Sequence, residues 1–176
     1  MRLDTLHSLG TIASLPRQSP INSEPDWMRK LFTFLSVEEG FRDKPYFDRS
    51  INAVDTHNNY LARATIGYGV NVEDDPAYLK LVLREMGIIN GTMSKATIDA
   101  RVVEFSNAIN RTPHGREYNA TLESNLNAVA QKYGVPTFAI TQVQSDNIFL
   151  GVVDGLNDGN IVVQGKRVIF LDSSPI

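Results

Sequence analysis

Glu39-Gly40-Phe41-Arg42-Asp43-Lys44-Pro45-Tyr46-Phe47-Asp48, and then Ala64-Thr65-Ile66-Gly67-Tyr68-Gly69-Val70-Asn71, are the stretches from which the architecture of this chain follows. Upstream of Glu39, the residues Trp27, Met28, Leu31, Phe32, Phe34 and Leu35 recur at helical spacing. Asp26, after Pro25, is the expected N-cap, and Gly40 is the C-terminal stop. Past Gly40 the helical spacing is lost, and Tyr46, Phe47 and Asp48 alternate as in the first arm of a hairpin. Thr65, Ile66 and Tyr68 carry β-branched and aromatic side chains suited to the returning strand, while Gly67 and Gly69 let a ligand or another backbone come close. A helix end followed directly by a hairpin is therefore expected.

That junction brings together groups that can do chemistry. Glu38 and Glu39 fall in the last helical turn, facing the negative end of the helix dipole, where a sequence selected for stability would place Lys or Arg. At about 100° per residue both project near the apolar arc, so burial and dipole together are expected to raise their pKa values. A carboxyl group held protonated suits a general acid, and a second, ionised carboxylate such as Asp48 suits water activation or charge stabilisation. The pairing points to cleavage of a sugar polymer. Periodicity does not choose between Glu38 and Glu39, and two solvated glutamates at a frayed helix end are the competing reading.

In order and spacing the two stretches resemble the phage-type lysozymes, glycoside hydrolase family twenty-four. The nine positions from Glu39 to Asp48 match that family's separation, and the resemblance covers roughly residues 30–90. It implies an α+β, lysozyme-like fold: a helix plus β-hairpin lobe followed by a mainly helical half. It also implies Glu39 as general acid, Asp48 as the residue that orients or deprotonates the attacking water, and Thr65 as the residue holding that water. Gly67, Tyr68 and Asn71 would contact substrate. The implied reaction is inverting hydrolysis of the bond from N-acetylmuramic acid to N-acetylglucosamine in peptidoglycan, with no metal and no cofactor. Glu38 becomes a neighbour whose charge helps keep Glu39 protonated.

The chain departs from the family pattern in two places. Where the family uses a short turn between its aspartate and threonine, residues 49–64 intervene here, with Asp55-Thr56-His57-Asn58-Asn59 at the expected tip. An inert surface loop is the default for such a polar insertion, and His57 is read as solvated. The second departure is the final helical bundle, which is missing or replaced. Helices are still expected: Asp75-Pro76 opens one through Met86, Ser94 caps a second through Ile109, and a third runs from Leu122 to Gly134. Thr141 and Gln144 form a capping-box pattern ahead of Ile148 and Val152. After the turn cluster Asn157-Asp158-Gly159-Asn160, the runs Ile161-Val162-Val163 and Arg167-Val168-Ile169-Phe170-Leu171 flank Gln164-Gly165-Lys166 as a C-terminal β-hairpin. The expected organisation is an extended N-terminal arm over 1–24, a lysozyme-like domain over 25–157 with its catalytic motif at 39–71, and a C-terminal hairpin over 158–176.

Composition narrows the setting. The 176 residues suffice for one domain with its own core, and the absence of cysteine fits synthesis in a reducing place. A formal net charge of -3 argues against nucleic acid as a partner. The N-terminal arm lacks the basic start and apolar run of a secretory signal, and no stretch approaches a membrane span. The sequence is thus read as a soluble product of the host cytoplasm that reaches peptidoglycan through a holin-like pore or on a virion, with its negative charge favouring the virion. The arms at both ends are expected to engage other tail proteins, since a tethered hydrolase needs no positive surface to concentrate it at the wall. A catalytically silent structural component of a virion and a non-hydrolytic peptidoglycan-binding module are the alternatives. The retained Glu39, Asp48 and Thr65 count against the first and the missing helical lobe counts for it, while the second gives no reason for keeping an acid at an unfavourable helix position.

Overall fold

The computed structural model describes residues 20–54, 60–157, 162–163 and 166–167. The fold is α+β. Helix α1 spans Asp26–Glu39 and is halted at Gly40, whose N–H donates to the Ser36 carbonyl. Its start differs by one residue from the sequence expectation. Pro25 occupies the N-cap with no side-chain cap, and Asp26 is the first helical residue. The Asp26 carboxylate pairs with Arg29 at 3.2 Å and Lys30 at 2.7 Å, one turn on, which satisfies it without capping and still places negative charge at the positive end of the dipole.

Strands β1 (Arg42–Val54), β2 (Tyr60–Gly67) and β3 (Val70–Asn71) form one antiparallel sheet in that order. Tyr46 pairs with Thr65, Phe47 with Ala64 and Asp48 with Arg63. Side chains alternate faces along a strand. Phe47, Ala64 and Ile66 therefore enter the core, and Tyr46, Asp48, Arg63 and Thr65 share the other face. The register slips between Arg42 and Tyr46, and Pro45, which can give no ladder hydrogen bond, sits in this irregular part. There the Asp43 carbonyl turns away to accept from Ile140 N–H at 2.9 Å. The insertion lengthens the hairpin, with Val54 opposite Tyr60; the expected tip with His57 lies outside the described residues.

The helical half comprises α2 (Pro76–Glu85), α3 (Lys95–Asn110), α4 (Asn119–Lys132) and α5 (Gln142–Asn157). The caps read from the sequence form. Asp75 accepts from Ala77 N–H, Ser94 accepts from Thr97 N–H, and Thr141 and Gln144 close a reciprocal capping box. Two short strands, β4 (Val162–Val163) and β5 (Lys166–Arg167), pair antiparallel as the expected C-terminal hairpin; residues 168–171 lie outside the described residues. At the other end the extended reading fails over residues 20–23, where Pro20–Ser23 is a 3-10 turn. Ile21 at its centre is apolar and 5% exposed, and burying it favours the turn over an extended arm. Among the described residues no helix is long and apolar enough to cross a membrane.

Among the described residues, burial falls into two cores. The larger joins the hairpin to the helical half through Phe47, Ile66, Leu79, Phe105, Leu126 and Phe138. Each such side chain contributes about 1.5 to 3 kcal/mol on burial. The smaller consists of Ile21, Met28, Phe149 and Val153, flanked by Leu31, Phe32, Leu35 and Leu150, and it docks α1 on α5. The hairpin is thus anchored in the main core, while the helix that ends at Glu39 rests on a satellite.

Candidate active site

Tyr46 connects the two acids singled out in the sequence. Burial pushes its phenol above the usual tyrosine range, the negative charges of Asp48 and Glu39 push the same way, and Arg42 opposes them. The Arg42 guanidinium lies over the Tyr46 ring, 4.2 Å from its centre. Thr65 stands directly across from Tyr46 in the strand register and is 2% exposed, with its hydroxyl donating to the Arg63 carbonyl at 3.0 Å. Thr65 is thus placed beside Tyr46, and the charges of Asp48 and Glu39 both reach that phenol, which the sequence reading used only as a strand residue.

Glu39 reaches this neighbourhood by lying on the hairpin turn. A Cβ at Gly69 would sit 2.8 Å from Glu39 Oε2, so the carboxyl group occupies the space that any other residue would fill. Gly69 also has φ of +71°, in the left-handed region that L side chains avoid. The expected burial of Glu38 and Glu39 is not met: both are exposed at the helix end. The reason is that the apolar arc of α1 closes on α5 through Met28, Leu31, Phe32 and Leu35 and does not extend to the last turn.

The residues expected to touch substrate are largely engaged within the protein. Gly67 is closely approached, but by α5: a Cβ there would lie 2.5 Å from Ser145 Oγ and 3.2 Å from Ile140 Cδ1. The Tyr68 hydroxyl accepts from Gln142 Nε2 at 3.1 Å, and its phenol is pushed up first by burial and also by the nearby Asp146, a residue only 3% exposed. Its ring meets Phe32 edge-on at 5.3 Å. The Asn71 side chain shapes the turn after β3, its oxygen accepting from Glu73 and Asp74 N–H and its nitrogen donating to Asp74. Tyr68, Gly69 and Asn71 nevertheless line one wall of a cleft of about 410 Å³, whose floor is apolar and comes from Leu31 and Leu35 of α1 and Phe149 of α5.

No protein-family model, curated protein or solved structure matches the chain.

Beside the predicted residues stands a network the sequence reading passed over. Glu73, with 12% of its side chain exposed, accepts from Ala64 N–H at 2.9 Å, lies 2.9 Å from His114 Nε2 and is 3.4 Å from Arg63 Nη1. His114 also meets the Thr112 carbonyl at 2.9 Å through Nδ1, and its ring packs on Phe47 at 4.6 Å between centroids. The strand that carries Thr65 is thereby tied at the adjacent residue to the loop between α3 and α4. Asn71 ahead of two acids is a readable turn signal. The His114–Glu73 contact spans 41 positions and has no local signature.

Proposed function

We propose that the chain is a peptidoglycan hydrolase, a muramidase with Glu39 as general acid, Asp48 as the group that activates water and Thr65 as its positioning partner. The observations that support this most are the shared sheet face of Asp48 and Thr65 and the Glu39 carboxyl lying on the turn at Gly69, with the charges of both acids reaching Tyr46. An exposed glutamate and a strand aspartate on the two sides of a bond could divide acid and base work between them. Peptidoglycan is the proposed substrate and a phage tail the proposed carrier, with tail proteins as partners of the terminal segments.

The test is release of reducing sugar from purified peptidoglycan by the wild type and by Glu39→Gln. Removing a general acid is expected to cost at least about a hundredfold in rate. Equal rates in the two proteins would dismiss the assignment of Glu39. A second reading, a catalytically silent lysozyme-like component of a virion, is favoured by the internal commitments of Tyr68 and Asn71. It predicts no sugar release from the wild type.

A further inference from the structure

Arg63 lies between two sets of acids. On one side, Asp48 is its direct partner in the β1–β2 register, so the two side chains leave the same face of the sheet. Opposite charges in that relation ordinarily pair. Here they do not. Arg63 Nε is 2.9 Å and 3.1 Å from the two carboxylate oxygens of Asp74, and Nη1 is 3.4 Å from Glu73. The Asp48 carboxylate has no ion pair or hydrogen bond among the described residues.

The far side wins for a physical reason. Glu73 is mostly removed from water and needs donors, which it finds in Ala64 N–H, His114 and Arg63. Asp74 is fixed by Asn71, whose nitrogen donates to its carboxylate at 2.8 Å and whose oxygen holds its N–H at 3.1 Å. Two pre-positioned carboxylates outcompete one. Arg42, which also lies in this neighbourhood, is likewise occupied, over the ring of Tyr46.

We propose that Glu73 and Asp74 are positioning residues that hold the Arg63 guanidinium off Asp48, keeping that carboxylate unpaired for work on water. The catalytic consequence rests on the muramidase reading; the positioning itself does not. An arginine allowed onto Asp48 would occupy its acceptor sites and lower its basicity, both of which oppose a water-activating role. The acids of the turn after β3 therefore act on the reaction without touching the substrate.

The test joins a structural and a kinetic measurement. Crystal structures of Asp74→Asn and of Glu73→Gln/Asp74→Asn should show Arg63 swung across the strand into contact with Asp48. Arg63 remaining against residues 73 and 74, or turning to solvent, overturns the proposal. Should the double variant not fold, the single change at exposed Asp74 carries the test. In peptidoglycan hydrolysis, Asp74→Asn should lose roughly tenfold, the effect of about one unit in the basicity of its target. Asp74→Asn/Arg63→Met should recover most of that loss, which a merely structural role for Asp74 would not produce; no recovery counts against the proposal. If Arg63 moves onto Asp48 but even the wild type releases no sugar, the positioning stands and the muramidase reading falls.

Discussion

At the scale of single residues, the site depends on what Gly69 and Tyr46 are. Replacing Gly69 by Ala puts a methyl group on Glu39 and forces a left-handed backbone on an L side chain, at a cost of about 1 to 2 kcal/mol. Gly69→Ala should lower the urea midpoint accordingly and, on the proposed muramidase reading, reduce peptidoglycan hydrolysis, since the glutamate must move. Tyr46 gives a pH signature. Its phenol is held protonated in the folded state beyond the usual range, first by burial and then by Asp48 and Glu39. The folded form therefore binds the proton more tightly than the unfolded form. Its contribution is fully present below the ordinary tyrosine pKa near 10 and is lost as pH climbs through the higher folded value. Absorbance titration should show a late-ionising phenol that disappears in Tyr46→Phe; an unchanged titration would show that burial does not act there. Motif residues were legible because they lie close together in sequence. The shared influence of both acids on Tyr46 was not, because it comes from a helix end and a strand folding together.

At the scale of elements, the contact between the hairpin and α5 carries a defined weakness. Among the described residues Ser145 Oγ is buried without a hydrogen-bond partner, and it lies against Gly67. Ser145→Ala should therefore be neutral or stabilising by up to about 1 kcal/mol, because it removes a buried hydroxyl that makes no bond. A clear loss of stability in thermal unfolding would mean that the hydroxyl has a partner after all. The helix starts were the most readable features, since Asp75, Ser94 and the Thr141/Gln144 pair act within their own first turns. Pro25 rather than Asp26 sits at the N-cap of α1 because Arg29 and Lys30 compete for that carboxylate. The burial expected for Glu39 also came from periodicity alone. A helical arc predicts which residues face inward only as far as a neighbouring element covers them, and α5 stops covering α1 before its last turn.

At the scale of the whole molecule, the hairpin and the helical half are stitched together by polar contacts as well as by the main core. Asn119 Oδ1 accepts from Phe47 N–H at 2.7 Å, Ile140 N–H donates to Asp43, and Lys44 pairs with Glu123 at 2.7 Å. Asn119→Ala leaves the Phe47 amide without its acceptor and should cost about 1 to 3 kcal/mol, measurable by urea unfolding. These contacts span more than seventy positions, and nothing near Asn119 or Glu123 in the sequence announces them. The helix bearing Glu39 is secured differently, through the satellite core around Met28 and Phe149. The chain's single tryptophan, Trp27, lies on that helix and is 40% exposed. The molecule therefore carries its own optical probe on the element that delivers the proposed acid. If α1 can lift from α5 while the rest stays folded, tryptophan emission will change at a lower urea concentration than circular dichroism does. Catalysis would then be lost at the first of the two transitions, with most of the protein still native.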